Sequence, residues 1–271
     1  AGVIAVAGRD AKLSRTTAEG DVIVEANSNV KLNGDVDASN IYVTAKEESL
    51  ESNGVLTANG AIEFFAGTHA YINNDVTGGN VRAITINNMF VDGNIEATGA
   101  DIFLMSNRNA RINGTLKANT DVYVSADESL DVFNTVDAVT GSVMLNANNS
   151  LQAQGAVTAA GDVSMTTDLG NLDVYGDVKA GEMASFGSSY GGDIPAASNA
   201  DEVALRDHVA SHTCIQASLD GDAVLGGQVA GDGGVAVIGG DDDVVGGDSL
   251  VNGDVAVSAA NGRGACGGDS A

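Results

Sequence analysis

Two histidines and a cysteine lie close together in the chain and have the side chains best suited to bind a metal. His208 and His212 are four residues apart, so on a helix they would share one face and form half of a zinc site, with Cys214 nearby. A structural zinc ion takes four protein ligands, and the sequence offers no matching second cluster. We therefore interpret the three as ordinary surface or core-edge residues.

Four aspartates near the C-terminus could bind calcium: Asp241, Asp242, Asp243 and Asp248. Calcium needs six to eight oxygen ligands held together. The surrounding stretch GGDDDVVGGDSLVNGD (239–254) is similar to calcium-binding RTX-type nonapeptide repeats, and that resemblance implies a calcium site. The spacing is irregular, however, and favours plain Gly-rich strands. We expect no cofactor, with calcium as the alternative.

The only two cysteines, Cys214 and Cys266, are 52 positions apart. A disulfide between them would restrict the unfolded chain by about 4 kcal/mol on the loop-entropy model. The bond could hold the C-terminal part of the chain in place or join subunits. Two cysteines do not decide the redox compartment.

The sequence contains no recognisable catalytic set. It has three histidines, no local Ser/His/Asp motif, no Walker phosphate loop and no Rossmann fingerprint. Carboxylates are abundant, but abundance is not pairing in a cleft, and the outward Asp residues that glycosidic or lyase chemistry on a β-helix could use cannot be aligned from the sequence. We predict that the chain is not an enzyme; a polysaccharide-acting β-helix enzyme is the third of three hypotheses.

The composition indicates an acidic protein of short strands. The formal net charge is −25, from 37 acidic and 12 basic residues, which excludes nucleic acid as a partner because binding it needs clustered Lys and Arg. No run of 18 apolar residues occurs, so we expect no membrane insertion. The 36 glycines, with 4% aromatic residues, are typical of short strands joined by tight corners.

A repeat of about 20 residues positions the remaining features. The apolar residue that opens each unit recurs once per repeat: Val22, Ile41, Ile62, Val81, Ile102, Val122, Val143 and Val163. Within a unit, apolar and polar residues alternate in three short stretches, as in strands with one buried face. One such unit cannot bury its apolar face alone, whereas stacked units can.

The pattern therefore predicts an all-β, parallel β-solenoid of eight or nine coils, with three strands per coil. Pairs such as Asn33-Gly34, Asn53-Gly54 and Asn113-Gly114 recur after the second strand, and we expect them to adopt positive φ at sharp corners. Stacked Asn side chains could hydrogen-bond from coil to coil. The rival fold is a meander of hairpins, but the turn recurs once per repeat and not once per two strands.

These units, for example GDVSMTTDLGNLDVYGDVKA (161–180) and SVMLNANNSLQAQGAVTAAGDV (142–163), resemble the repeats of filamentous-haemagglutinin-type adhesins. The resemblance covers about residues 3–182. Those adhesins are bacterial exoproteins of two-partner secretion whose shafts are right-handed β-helices. The resemblance thus implies a β-helix and an extracellular or cell-surface location.

An apolar stripe is expected on the outside of the first strand of each coil, where polar residues would suffice. Its members are Ile23, Tyr42, Phe65, Ile84, Phe103, Met105, Tyr123 and Met144. A continuous stripe over eight coils would exceed the apolar area that monomers usually expose. It could be covered by the C-terminal part of the chain, by another subunit or by a ligand.

The sequence divides the chain into three parts. Residues 1–183 form the solenoid, residues 184–221 a linker with a short capping helix over 199–213, and residues 222–271 a Gly/Asp-rich β segment. Asn199 and Glu202 could form the capping box of that helix. We expect the last part to pack on the solenoid or on a neighbouring subunit.

Repetition without insertions suits a structural protein better than a catalytic one. The leading hypothesis is an extracellular subunit that assembles with copies of itself into a filament, sheath or surface layer. The alternative is a monomeric adhesin fragment that binds a surface or glycan through one face of the solenoid.

Overall fold

In a computed structural model, the structure describes residues 1–188 and, beyond them, the backbone of the strands between Glu202 and Cys266. The chain forms two compact units, Ala1–Asp127 and Glu128–Ala271. The described residues contain strands and turns and no helix. Consequently, none of their elements is a helix of the length and hydropathy that could cross a membrane.

The first unit contains nineteen strands in three parallel sheets. The strands are β1 (Val3–Ala7), β2 (Ala11–Leu13), β3 (Thr16–Thr17), β4 (Val22–Ala26), β5 (Val30–Leu32), β6 (Val36–Ala38), β7 (Ile41–Ala45), β8 (Leu50–Ser52), β9 (Leu56–Ala58), β10 (Ala61–Ala66), β11 (Ala70–Ile72), β12 (Val76–Gly78), β13 (Asn80–Thr85), β14 (Met89–Val91), β15 (Ile95–Ala97), β16 (Ile102–Ser106), β17 (Ala110–Ile112), β18 (Leu116–Ala118) and β19 (Val122–Ala126). Each strand pairs with the strand three places later in the chain. The first sheet is therefore β1-β4-β7-β10-β13-β16-β19, the second β2-β5-β8-β11-β14-β17 and the third β3-β6-β9-β12-β15-β18.

The described strands of the second unit follow the same order. They are β20 (Ser129–Val132), β21 (Val136–Ala138), β22 (Val143–Ala147), β23 (Ser150–Ala153), β24 (Val157–Ala159), β25 (Val163–Thr167), β26 (Leu172–Val174), β27 (Val178–Ala180), β28 (Ala184–Ser188), β29 (Glu202–Leu205), β30 (Val209–Ser211), β31 (Ile215–Ser218), β32 (Asp222–Leu225), β33 (Val229–Gly231), β34 (Val235–Gly239), β35 (Asp243–Val245), β36 (Ser249–Val251), β37 (Val255–Ala259) and β38 (Gly264–Cys266). All their pairings are parallel. The predicted three-sheet parallel solenoid is therefore confirmed, and the hairpin meander is wrong.

Strand formation follows from the alternation of apolar residues. In β4, Val22, Val24 and Ala26 are buried, whereas Ile23 and Glu25 face outward. Each inward residue stacks on the equivalent residue of the next coil. The first inward residues of successive first-sheet strands thus form a buried column in the first unit: Val22, Ile41, Ile62, Val81, Ile102 and Val122. Because each coil covers its neighbours' apolar faces, the core is a stack of short layers.

The corners are also hydrogen-bonded from coil to coil. The backbone N–H of Asn53 donates to the carbonyl of Leu32 at 2.8 Å, and that of Leu50 donates to the carbonyl of His69 at 2.9 Å. Side chains extend the pattern: Nδ2 of Asn73 donates to Oδ1 of Asn53 at 2.7 Å. The expected hydrogen bond between stacked Asn side chains is thus present at this corner, where it pairs polar groups that a turn would otherwise leave without a partner.

The corner glycines are required for a different reason from the one expected. A Cβ on Gly54 would lie 2.2 Å from the carbonyl carbon of Gly34, and one on Gly93 would lie 2.1 Å from that of Asn74. None of these glycines has φ in the left-handed region. The prediction of positive φ is therefore wrong for these glycines, and glycine is needed because stacked coils approach too closely for a side chain.

Four polar side chains are fully buried near the ends of strands in the described residues: Ser52, Thr85, Ser106 and Thr167. Oγ of Ser106 donates to the carbonyl of Asn87 at 2.5 Å or of Asn109 at 2.9 Å, so it serves the corner backbone. Oγ of Ser52, in contrast, has no hydrogen-bond partner among the described residues. An unpaired buried hydroxyl costs free energy, so Ser52 is a weak point of the core.

The capping helix predicted over 199–213 is corrected by the structure, which has strands β29 and β30 there. Val203 pairs in register with Leu172, and Val209 pairs with Val178. Leu205 and Val209, whose spacing favours a helix face, lie on two different strands. The strands β29–β38, in the predicted linker and Gly/Asp-rich segment, pair in the second unit's three sheets. Pairing with an existing strand edge outweighs the weak helical pattern.

Candidate interaction surface

The predicted apolar residues do lie on the outward side of the first sheet, but they occupy two rows. Row one contains, from each strand of the first sheet, the residue directly after the first inward residue. Row two contains the residue two positions after the row-one residue. Ile23, Tyr42, Phe103 and Tyr123 belong to row one of the first unit, and Phe65, Ile84 and Met105 to row two. Met144 lies on β22 of the second unit and is 43% exposed.

Charged and polar residues interrupt both rows. In row one, Glu63 and Arg82 lie between Tyr42 and Phe103. In row two, Glu25 and Thr44 precede Phe65. The single continuous stripe expected from the sequence is therefore replaced by a compact apolar cluster of Phe65, Ile84, Met105, Phe103 and Tyr123, with a charged pair beside it.

The aromatic residues of this cluster are ordered by stacking. The rings of Phe103 and Tyr123 are stacked with centroids 4.9 Å apart and planes 9° from parallel. The guanidinium of Arg82 lies 5.2 Å from the Phe103 ring centroid, within cation–π range. Ile86, just beyond β13, is 43% exposed and widens the apolar surface.

A second aromatic pair, on the second sheet, was missed by the sequence analysis. Tyr71 and Phe90 are register partners, with ring centroids 5.2 Å apart and planes 5° from parallel. His69 lies 6.1 Å from Tyr71. Their signal was available, since both residues occupy the middle, outward position of a three-residue strand. Stacking of the two rings stabilises this ladder, as that of Phe103 and Tyr123 does on the first sheet.

Ion pairs also join outward residues of neighbouring coils on the second and third sheets. Nζ of Lys31 donates to both carboxylate oxygens of Glu51, at 2.8 and 2.7 Å, and Nδ2 of Asn53 donates to one of them. The hydrogen bond from Lys31 is the main reason that the pKa of Glu51 is lowered, and that from Asn53 adds to it. On the third sheet, Lys117 and Glu96 pair at 3.0 Å. These pairs are exposed, so each contributes little to stability.

The first corner carries a polar ladder. The backbone N–H and Nδ2 of Asn29 both donate to Oδ1 of Asp10 at 3.1 Å, and these bonds, the backbone one first, lower the pKa of Asp10. Nδ2 of Asn29 also donates to Glu48, and its Oδ1 accepts from the backbone of Ser49. These carboxylates are bound to amides and therefore serve the corner.

The metal and disulfide predictions lie outside the described side chains. This holds for the zinc half-site of His208, His212 and Cys214, for Cys266, and for the calcium residues Asp241, Asp242, Asp243 and Asp248. In the part of the chain that is described, no group of three or more His, Cys, Asp or Glu side chains could hold a metal ion.

A shallow hollow of about 270 Å³ lies on the third sheet of the first unit. It is lined by Asp75, Thr77, Asn94, Ile95, Glu96, Thr115 and Lys117. Most of these side chains are polar, and Asn94 donates to Asp75 and accepts from Thr115. The hollow is partly open to solvent, and its polar lining suits a hydroxyl-rich ligand better than an apolar one.

Comparison of the chain with protein-family models, with curated proteins and with solved structures gave no match. The parallel β-solenoid itself agrees with the β-helix repeats that the sequence resembles.

Proposed function

We propose that this chain is a non-catalytic structural protein that associates side by side with copies of itself through the outward face of the first sheet. The observation that supports the proposal is the apolar cluster of Phe65, Ile84, Met105, Phe103 and Tyr123 in the first unit. Solvent-facing positions of a sheet are normally polar, and a contiguous apolar surface bordered by charges is typical of an interface.

The uniform coils support the same proposal. Successive strands of the first sheet in the first unit are offset by one repeat each, as Val3 from Val22 and Ile41 from Ile62, and no coil of that unit carries a long loop. Ligand and catalytic sites usually depend on such loops. A regular flat face suits contact between subunits, as in a filament, sheath or surface layer. An extracellular or cell-surface location, as in the adhesins that the repeats resemble, is part of this proposal.

The test is the association state of the whole chain. Ile84→Asp together with Phe103→Asp places two charges in the cluster and should abolish association, because both charges would have to be buried in the interface. The variant should still fold, because the inward residues of its coils are unchanged. Sedimentation velocity over a wide concentration range, with negative-stain microscopy, measures this. Thr57→Asp with Thr77→Asp is the matched control, since it adds the same charge to outward positions of the third sheet.

The control variant should associate like the wild type, and circular dichroism should show all three proteins equally folded. A wild-type chain that stays monomeric at the highest concentration, or a cluster variant that associates normally, would contradict the proposal.

Glycan binding by a monomeric adhesin is the second candidate, favoured by the polar hollow on the third sheet. Its carboxylates, amide and hydroxyls could hydrogen-bond sugar hydroxyl groups. Glycan-array binding that is lost in Thr77→Ala with Asn94→Ala, and kept in Ile84→Asp, would support it. Absence of binding to any glycan would remove it.

A further inference from the structure

The side chains of row one could pair with the same row of a second copy that runs in the opposite direction. Along the coils of the first unit it contains Ile4, Ile23, Tyr42, Glu63, Arg82, Phe103 and Tyr123, and the six residues from Ile23 to Tyr123 are centred between Glu63 and Arg82. An acid and a base lie at the centre, each is followed by an aromatic residue, and a further apolar residue lies beyond. Turning the row end over end therefore places opposite charges together and apolar residues together.

We infer that two copies of this chain pair face to face through their first sheets, with the coils running in opposite directions about a twofold axis between Glu63 and Arg82. The axis is parallel to the strands and lies between β10 and β13. Glu63 of each copy then faces Arg82 of the other, and Tyr42 faces Phe103. This inference rests on the self-association proposed above and specifies its geometry.

Row two is compatible with the same axis. Phe65 and Ile84 are register partners across the centre, so Phe65 of one copy faces Ile84 of the other. Gly67 and Ile86 directly follow the register partners Ala66 and Thr85, so the exposed side chain of Ile86 faces a glycine. A protruding side chain opposite a residue without one is the shape complementarity that interfaces need.

The charges at the centre are available for such a pairing. Glu63 and Arg82 are both exposed, and within the described residues neither forms an ion pair. A twofold axis along the coil direction would instead place Glu63 against Phe65 and Arg82 against Ile84, so both charges would lie against apolar groups, at a cost. Charge complementarity therefore favours the antiparallel arrangement.

The size of the face predicts a weak pair. The six strands that the axis superposes, β4 to β19, are spaced about 4.8 Å apart and, with five residues of about 3.3 Å rise, span roughly 24 by 16 Å. This is roughly 380 Å² per copy, below the roughly 800 Å² per partner of a standard stable interface. We therefore expect a weak, reversible pair, whose dissociation sedimentation at high concentration can measure.

The test uses charge reversal in the full chain. Glu63→Arg alone and Arg82→Glu alone each give two like charges at the centre, and each should weaken self-association at least tenfold. An equimolar mixture of the two variants should restore pairing to about the wild-type level, because positions 63 and 82 across the interface again carry opposite charges. The double variant should also self-associate.

A cross-linking measurement covers the case in which Arg82→Glu, which loses the contact with Phe103, does not fold. In a Cys214→Ser, Cys266→Ser background, Tyr42→Cys and Phe103→Cys are mixed and treated with a short bismaleimide. Positions 42 and 103 should be joined between copies, whereas Tyr42→Cys alone should cross-link poorly, because its two copies of position 42 lie about three strands, or about 14 Å, apart along the coils.

The outcomes separate the two proposals. If the wild type associates through the cluster but the mixture stays monomeric, or position 42 joins itself as readily as 103, the antiparallel pair is wrong and self-association stands. A wild type that remains monomeric at every concentration overturns both.

Discussion

A Cβ atom on Gly114 would lie 1.9 Å from the carbonyl oxygen of Gly93 in the preceding coil. No rotamer relieves this contact, because both atoms belong to the backbone or are fixed to it. Gly114→Ala must therefore push two coils apart, and we expect it to lower the free energy of unfolding by about 3 kcal/mol or more. Thermal unfolding measured by circular dichroism tests this.

Gly8→Ala is the matched control for that substitution. A Cβ on Gly8 would meet nothing within 4 Å, so the change should be neutral or slightly stabilising, by about 0.5 kcal/mol, because alanine restricts the unfolded chain. Equal destabilisation by the two substitutions would show that close approach is not what selects glycine at the corner.

Ser52 and Ser106 are equally buried but should respond to alanine in opposite directions. Ser52→Ala removes a hydroxyl that has no partner among the described residues and should raise stability by about 1 kcal/mol. Ser106→Ala removes the donor to the carbonyls of Asn87 and Asn109 and should lower it by a similar amount. Denaturant titration of the two variants gives the comparison, and a loss of stability in both would mean that Ser52 is hydrogen-bonded in solution.

Glu51 should make the stability of the first unit depend on acid pH. Its pKa is lower in the folded protein, mainly because of the hydrogen bond from Lys31, so the pair stabilises the fold above the ordinary carboxyl pKa. That contribution disappears as the pH falls through the lowered, folded-state pKa. The melting temperature of the wild type should thus exceed that of Glu51→Gln slightly at neutral pH, and the difference should shrink as the pH falls below the ordinary carboxyl pKa. A difference that does not change with pH would contradict this role.

Asn29 should matter more than Asn27, although both are corner asparagines. The side chain of Asn29 bonds to Asp10, Glu48 and the backbone of Ser49, whereas that of Asn27, within the described part of the chain, donates only to the carbonyl of Gly8, at 3.2 Å. We expect Asn29→Ala to cost about 1 kcal/mol and Asn27→Ala less. Chemical unfolding of both variants decides, and equal costs would mean that the ladder adds nothing.

The coils were predictable because their signal repeats. A single alternation such as Val22, Val24, Ala26 is ambiguous, but the same pattern one repeat later, at Ile41, Val43 and Ala45, can bury its face only by stacking. The helix over 199–213 was wrong because one short stretch carries no such redundancy, and pairing of Val203 with Leu172 decided its structure.

The surface was only partly predictable. That Phe65 and Phe103 point outward follows from the alternation, but they were treated as one stripe. Phe65 lies three positions after Ile62, and Phe103 lies one position after Ile102, so the offset from the first inward residue already separates the two rows. The stacking of Arg82 on Phe103 could not be predicted, because it depends on the side-chain conformation of neighbouring coils.

The hydrogen bonds between coils join residues that are one repeat apart in sequence almost throughout the first unit. Each added coil therefore closes a loop of only about 20 residues, so the entropy lost in adding a coil stays small and nearly constant. Once two coils have formed, the unpaired strand edges of the outer coil act as a template for the following stretch of chain. Formation of the first coils should therefore limit the folding rate, and later coils should then add in order along the chain.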